Sequence, residues 1–228
     1  MENVDRNYIA RMIDISGVRA DVKLDEIEKI AKAAIHFNFV CAFVMPCYTE
    51  TLVNKLKEYP DIMVGGVVGF PSGADTTAIK VLQAREMLQA GVDELDMVIN
   101  IGALKSEQYQ MVYDDIKAVV DASEHKPVKS ILEIACLNDC EIARASEIAV
   151  KAGVTYIKTG TGWANKPTTV ETIRIIKSAI GDSAKIKAAG GVRGLETILK
   201  MVDAGCSRFG LGLNSAIDLM KEIDRHSK

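Results

Sequence analysis

Little in this sequence speaks for metal chemistry. It has three histidines, His36, His125 and His226, far apart along the chain. A metal centre needs ligands that converge, and no such set is visible. His36 falls in a helical stripe, His125 in a polar loop and His226 in the tail. The five cysteines, Cys41, Cys47, Cys136, Cys140 and Cys206, are odd in number and form no CxxC pair. They read as reduced, mostly buried thiols of a cytoplasmic protein rather than as a disulfide frame. The spacing of Cys136 and Cys140 is too weak a signal to make them metal ligands, and both are expected to be ordinary core and loop residues. No block of basic residues stands out, and 28 Lys and Arg against 31 Asp and Glu leave the chain mildly acidic. Nothing therefore favours nucleic acid or an anionic membrane as a partner. Charges interrupt the first thirty residues every few positions, which excludes a signal peptide, and no apolar run is long enough to span a bilayer. Without a Pro/Gly/Ser-rich linker or a low-complexity tract, residues 1–228 are expected to form one domain.

What is present is a regular alternation. Eight short β-rich runs read "RMIDI", "VCAFVM", "IMVGGVVGF", "ELDMVIN", "VKSILEIA", "TYIKTG", "KIKAAGG" and "SRFGLG". Helical stripes lie between them. Leu24, Ile27, Ile30, Ala34 and Ile35 make one, Val170, Ile173, Ile176 and Ile180 a second, and Leu195, Ile198, Leu199 and Val202 a third. "AGV" at 90–92 and 152–154, and "AGC" at 204–206, read as helix ends in which glycine takes the left-handed cap before the next strand. Strands separated by helices must run parallel. Eight such units in this length predict an α/β fold, a single eightfold β/α (TIM) barrel. The alternative, a doubly wound open sheet, would want a glycine fingerprint after the first strand, and "RMIDISGVRAD" has none.

Barrel chemistry gathers at the C-terminal ends of the strands. Lys158 ends the sixth run and Lys187 lies in the seventh. Asp96 lies in the fourth, on the face opposite Leu95 and Met97. If all three face the barrel mouth, the site holds two lysines and a carboxylate. A desolvated lysine beside another cation loses its proton more readily and can attack a carbonyl as the free amine. The carboxylate would move protons directly or through water. The alternatives are surface lysines near loops and an Asp96 that is only an ion-pair partner. Gly190 and Gly191 follow the seventh strand, and Gly210 and Gly212 the eighth. Backbone N–H groups there could hold a phosphate, though the same glycines could be plain turn residues. Asn214 could cap the last helix.

Three segments resemble the deoxyribose-phosphate aldolase family. "GFPSGADTT" and "DELDMVINIGALK" lie within residues 65–105. "YIKTGTGW" matches the motif that holds the family's imine-forming lysine, and "KIKAAGGVR" matches the motif of its second lysine. The resemblance implies a class I aldolase that reversibly cleaves 2-deoxyribose 5-phosphate to acetaldehyde and glyceraldehyde 3-phosphate. It gives Lys158 the imine, Lys187 the pKa-lowering and relay role, and Asp96 the catalytic carboxylate. Substrate and phosphate contacts are expected at Asp14, Thr161, Gly162, Gly190, Gly191, Gly210 and Gly212. No metal and no organic cofactor is implied, and the expected partners are a sugar phosphate, aldehydes and further copies of the chain.

The chain departs from the family pattern in four places. Gly160 stands where "KTSTG" has serine. Gly212 and Leu213 stand where a serine pair is common. "IDISGVRAD" only loosely resembles a motif closer to "IDHTLLKPD": Asp14 matches, but the usual threonine and lysine do not. "DRHSK" lacks the terminal tyrosine of some members. These departures predict weakened phosphate recognition, or an aldolase with a different or unphosphorylated acceptor. A non-catalytic barrel that senses sugar phosphate is the third reading.

Overall fold

The computed structural model describes residues 5–226. Eight parallel strands close into a barrel in chain order, with β8 pairing back onto β1. They are β1 (Ile13–Gly17), β2 (Cys41–Val44), β3 (Met63–Val68), β4 (Glu94–Val98), β5 (Val128–Ile131), β6 (Tyr156–Lys158), β7 (Lys185–Ala189) and β8 (Arg208–Gly212). Seven fall within their expected runs and β1 runs two residues past the end of "RMIDI"; the closed sheet removes the open-sheet alternative. The helices are α1 (Arg6–Ala10), α2 (Leu24–Phe37), α3 (Thr49–Leu56), α4 (Thr77–Gln89), α5 (Ile101–Lys105), α6 (Tyr109–Ala122), α7 (Asp139–Lys151), α8 (Val170–Ile180), α9 (Leu195–Asp203) and α10 (Leu213–His226).

The main core lies between barrel and helices. In α2 the stripe buries Ile27, Ile30 and Ala34 against it, while Leu24, at the solvent end, is exposed. α8 buries Ile173, Ile176 and Ile180 in the same way. Each fully buried Ile side chain contributes about 1.5–3 kcal/mol. Helix starts follow local chemistry. Asn138 and Glu141 form a reciprocal capping box on α7, and the Thr169 hydroxyl accepts from the Thr172 N–H at the start of α8. The three "AG" signals are correct: Gly91, Gly153 and Gly205 sit at φ 92°, 95° and 101° after their helices.

Two details differ from expectation. β8 runs straight into α10, so Asn214 lies inside the first turn of that helix instead of capping it. Cys41 and Cys206 are buried, but Cys47, Cys136 and Cys140 are exposed free thiols on short turns and the start of α7. His36 lies on α2 and His125 in the turn before β5, both exposed, and His226 ends α10, its side chain outside the described residues. Residues 227–228, part of the "DRHSK" ending, also lie outside them.

Candidate active site

Strand pleating decides what fills the barrel. Every second residue points inward. In this chain much of the inward set is charged. β1 contributes Asp14, β4 Glu94 and Asp96, β5 Lys129, β6 Lys158, β7 Lys187 and β8 Arg208. All are buried. Water cannot solvate them, so each charge must find its opposite.

Six of them do so in a ring. Lys129 Nζ donates to Asp96 Oδ1 at 3.0 Å and pairs closely with Glu94. Arg208 donates from Nη2 to Glu94 at 2.9 Å and from Nε to Asp14 Oδ1 at 2.8 Å. Lys187 Nζ lies 2.6 Å from Asp14 Oδ2, an ion contact without hydrogen-bond alignment, and donates to Asp96 Oδ2 at 2.7 Å. Three carboxylates and three cations alternate and cancel. Lys158 is the seventh group. Its Nζ donates to the same Asp96 Oδ2 at 2.7 Å, an oxygen already held by Lys187.

The protonation states follow from this count. Burial pushes the Asp96 carboxyl up, but Lys129, Lys158 and Lys187 outweigh it and hold it well below the usual carboxylate range. Asp14 is likewise raised by burial and drawn down further by Lys187 and Arg208, for a net lowering. Burial alone would lower Lys129 and Arg208, yet their carboxylates raise both above their ordinary values. Lys158 goes the other way. Burial lowers it, Asp96 only partly restores it, Lys187 lowers it again, and it settles at about 8. The expectation that Lys187 prepares Lys158 has the right sign, but burial is the larger cause. The surplus cation of a neutral ring is the one that can be spared its proton.

Lys158 also faces a cleft at the barrel mouth that reaches this network. The cleft, about 250 Å³, is lined by Asp14, Lys158, Lys187, Thr161 and Gly162, and further out by Gly190, Gly191, Gly210 and Gly212. Asp96 lies behind them, fully buried. The expected residues are therefore brought together, with different jobs for some. Thr161 N–H and hydroxyl both donate to Glu133 Oε2, which fixes the turn after β6. A Cβ on Gly160 would stand 3.0 Å from Glu133 Oε1, so the missing serine leaves space that Glu133 uses. Gly210 is ordinary strand backbone; an added Cβ would stand 2.9 Å from Ala189 Cβ and 3.5 Å from Lys187 Cε. Its bare Cα makes room for Ala189. Gly190 and Gly191 do turn with positive φ, 89° and 71°, and a Cβ on Gly191 would run into Pro167 at 2.6 Å. Gly212 borders open space, with Ser16 O the nearest atom at 4.0 Å. Ser215, in the first turn of α10, and Arg193 line the same end.

Glu94, Lys129 and Arg208 were missed in the sequence. Their signal was there: charged residues at inward parity inside strands, with Glu94 two before Asp96. Of the described His, Cys, Asp and Glu side chains, one trio, Asp14, Cys41 and Glu94, comes close enough to share an ion. Both carboxylates are already taken by ring cations, and burial beside them pushes the Cys41 thiol well above its ordinary value, so the trio does not fit a metal. No helix among the described residues is long and apolar enough to cross a membrane.

A closed β/α barrel with a deprotonatable lysine at its mouth defines a class of protein that works on carbonyl compounds through an amine. The comparisons narrow the class. Residues 5–214 match the family model described as DeoC/LacD family aldolase. The chain is 43% identical over 206 residues to the deoxyribose-phosphate aldolase of Methanothermobacter thermautotrophicus, covering 90% of this chain and 91% of that one. It is 40% identical over 214 residues to that of Sinorhizobium medicae, covering 94% and 86%. A solved aldolase, QR15, superposes with a TM-score of 0.87 at 35% identity over 97% and 96% of the two chains. A tetrameric deoxyribose phosphate aldolase from Aeropyrum pernix shares the fold, with a TM-score of 0.87 at 24% identity over 96% and 92%. This chain belongs to the DeoC/LacD family of aldolases. The expected barrel, family and lyase class are thus borne out.

Proposed function

We propose that this aldolase cleaves 2-deoxyribose 5-phosphate reversibly to acetaldehyde and glyceraldehyde 3-phosphate, as the names of its relatives suggest, with Lys158 as the amine. The observation that carries the reading is the uncompensated Lys158 at about pKa 8, next to a charge-neutral ring. Neutral Lys158 adds to C1 of the open-chain sugar. Loss of water, assisted by the Lys187 ammonium, leaves an iminium. The C3 hydroxyl gives up its proton, the C2–C3 bond breaks, and its electrons enter the iminium to form an enamine as glyceraldehyde 3-phosphate departs. C2 then takes a proton, and water adds to release acetaldehyde and the free amine. Asp96 holds both lysines in place and passes protons directly or through water.

The phosphate end rests on the backbone of Gly190 and Gly191, the N-terminus of α10, Ser215 and Arg193. The Arg193 guanidinium has no carboxylate partner among the described residues, which suits an anion. Gly212 and Leu213 support the second reading, an acceptor without phosphate. A sensor has no use for an uncompensated amine. We read residues 1–228 as one catalytic domain working in the cytoplasm as a homo-oligomer.

The test is borohydride reduction in the presence of acetaldehyde, with mapping of the labelled peptide, alongside turnover of phosphorylated and free deoxyribose. A label on Lys158 and a preference for the phosphorylated sugar are expected. A label on Lys187 would overturn the assignment, and equal turnover of the two sugars would replace the phosphorylated substrate with the free one.

A further inference from the structure

Two of the sequence motifs meet over the barrel mouth. "YIKTGTGW" ends in Trp163, the one tryptophan of the chain, in the loop after β6. "GFPSGADTT" places Phe70 in the loop after β3. The two rings meet edge to face, with centroids 6.1 Å apart and planes at 82°. The indole Nε1 donates to Val18 O, in the loop after β1, at 2.7 Å. In a barrel closed in chain order β6 stands opposite β2, and β1 and β3 flank β2. The indole therefore crosses the mouth. Its far side is anchored, because Val18 and Phe70 both pack against a small apolar cluster that includes Phe43 and Val67. Trp163 lines the cleft together with Lys158 and is 46% exposed. The Lys158 side chain, at the inner end of that cleft, is 8% exposed.

This crossing can open. Thr161 is held by Glu133, and Thr168 is held by Ala189 O and Gly190 O. Residues 162–167 between those anchors form no helix or strand. Gly162 has φ 84°, and a Cβ there would meet nothing within 4 Å, so the chain can turn at this point without a clash. One neutral hydrogen bond and one ring-edge contact tie the indole to the far wall, each worth about 2- to 12-fold in an equilibrium. We propose that Trp163 controls access to Lys158: its indole bars the mouth, and the hydrogen bond to Val18 O opens each time a substrate enters or a product leaves. The inference rests on the aldolase reading. Closure keeps bulk water from the iminium and the enamine, and opening at Gly162 admits the sugar.

The experiment is the second-order rate of reductive trapping of Lys158 by dilute acetaldehyde with cyanoborohydride, followed across pH. A gate that opens and closes quickly scales this rate by its open fraction. Trp163→Phe keeps a ring beside Phe70 but cannot donate to Val18 O. Its trapping rate should rise by about 2- to 12-fold, while the pH midpoint stays near 8, because no member of the charged ring is touched. Phe70→Leu keeps the indole and its hydrogen bond, so its rate should rise less. Quenching of Trp163 fluorescence by acrylamide should rise with it, a signal that a single tryptophan makes unambiguous. An unchanged or slower rate in Trp163→Phe, or in Phe70→Leu where the first variant does not fold, would overturn the proposal, since aldehydes would then pass the indole at the β7–β8 end of the cleft. A midpoint that moves together with the rate would overturn it too, by showing that Trp163 only steadies the turn carrying Lys158. If acetaldehyde labels no Lys158 in the wild type, the aldolase reading fails instead, so the two failures are distinguishable.

Discussion

Two buried lysines of this chain each donate to a buried aspartate, and they are opposites. Lys80, on α4, sits outside the barrel between α6 and β4. It donates to Asp115 Oδ2 at 2.5 Å and to Val98 O at 3.0 Å, and the Thr77 hydroxyl donates to the other Asp115 oxygen at 2.9 Å. That is one charge for one charge, with the spare acceptor filled. Lys158 shares one oxygen of Asp96 with Lys187, while Lys129 holds the other. Its charge is surplus, and it borders a cleft. A buried pair that balances is structure, and a buried cation left over is a reagent.

Substitutions can break this contrast. The largest effect should be on turnover: Lys158→Met abolishes it, because the amine that forms the imine is gone, whereas Lys80→Met leaves kcat of the folded enzyme intact. Steady-state assays at low temperature check both. Stability should show the reverse. Losing Lys80 strands Asp115 and costs about 3–5 kcal/mol in a denaturation midpoint experiment. Lys158→Met should stabilise the protein at pH 7. The folded-state pKa of Lys158 is lowered from 10.5 to about 8, so between those values the unfolded chain binds more protons and wild-type stability rises with pH. At about 1.4 kcal/mol per unit, the gain in Lys158→Met is on the order of 3 kcal/mol below pH 8 and disappears near pH 10.5. Denaturant melts at pH 7 and pH 10.5 measure that difference.

A smaller effect sharpens the account. Lys187→Leu turns the neutral ring into a net acid, which makes Lys158 its counter-ion. The acidic limb of the pH–rate profile should then move up by about a unit or more. The smallest effect belongs to the phosphate end. Gly212→Ser enters open space and offers a new donor, so it should lower KM for deoxyribose 5-phosphate by up to about tenfold, consistent with about 1.5 kcal/mol for a hydrogen bond to a charged group, without changing KM for free deoxyribose. Leu213, by contrast, is packed in the core, and a serine there would test stability more than binding.

How much of this could be read from the sequence follows from the kind of signal involved. Strand runs, helix stripes and Ala-Gly turns report periodicity and backbone chemistry, which are local, and they located all eight strands. Lys158, Lys187 and Asp96 were legible because they stand in matching motifs, Lys158 at the end of its strand and the other two within theirs. The ring was not, because Lys129, Glu94 and Arg208 gain their meaning only when β8 closes on β1 and sets Arg208 between Asp14 and Glu94. What Gly210 packs against was hidden for the same reason: a glycine before a loop suggests an anion site, and the closeness of Ala189 to it appears only in three dimensions.

The central claim is that Lys158 is the surplus cation of a neutral ring, and the pH dependence of its reductive trapping by acetaldehyde tests that claim most directly. Trapping at Lys158 should be half-maximal near pH 8 in the wild type and shift upward in Lys187→Leu. A half-maximum near the ordinary lysine value of about 10.5, unchanged by the loss of Lys187, would contradict it.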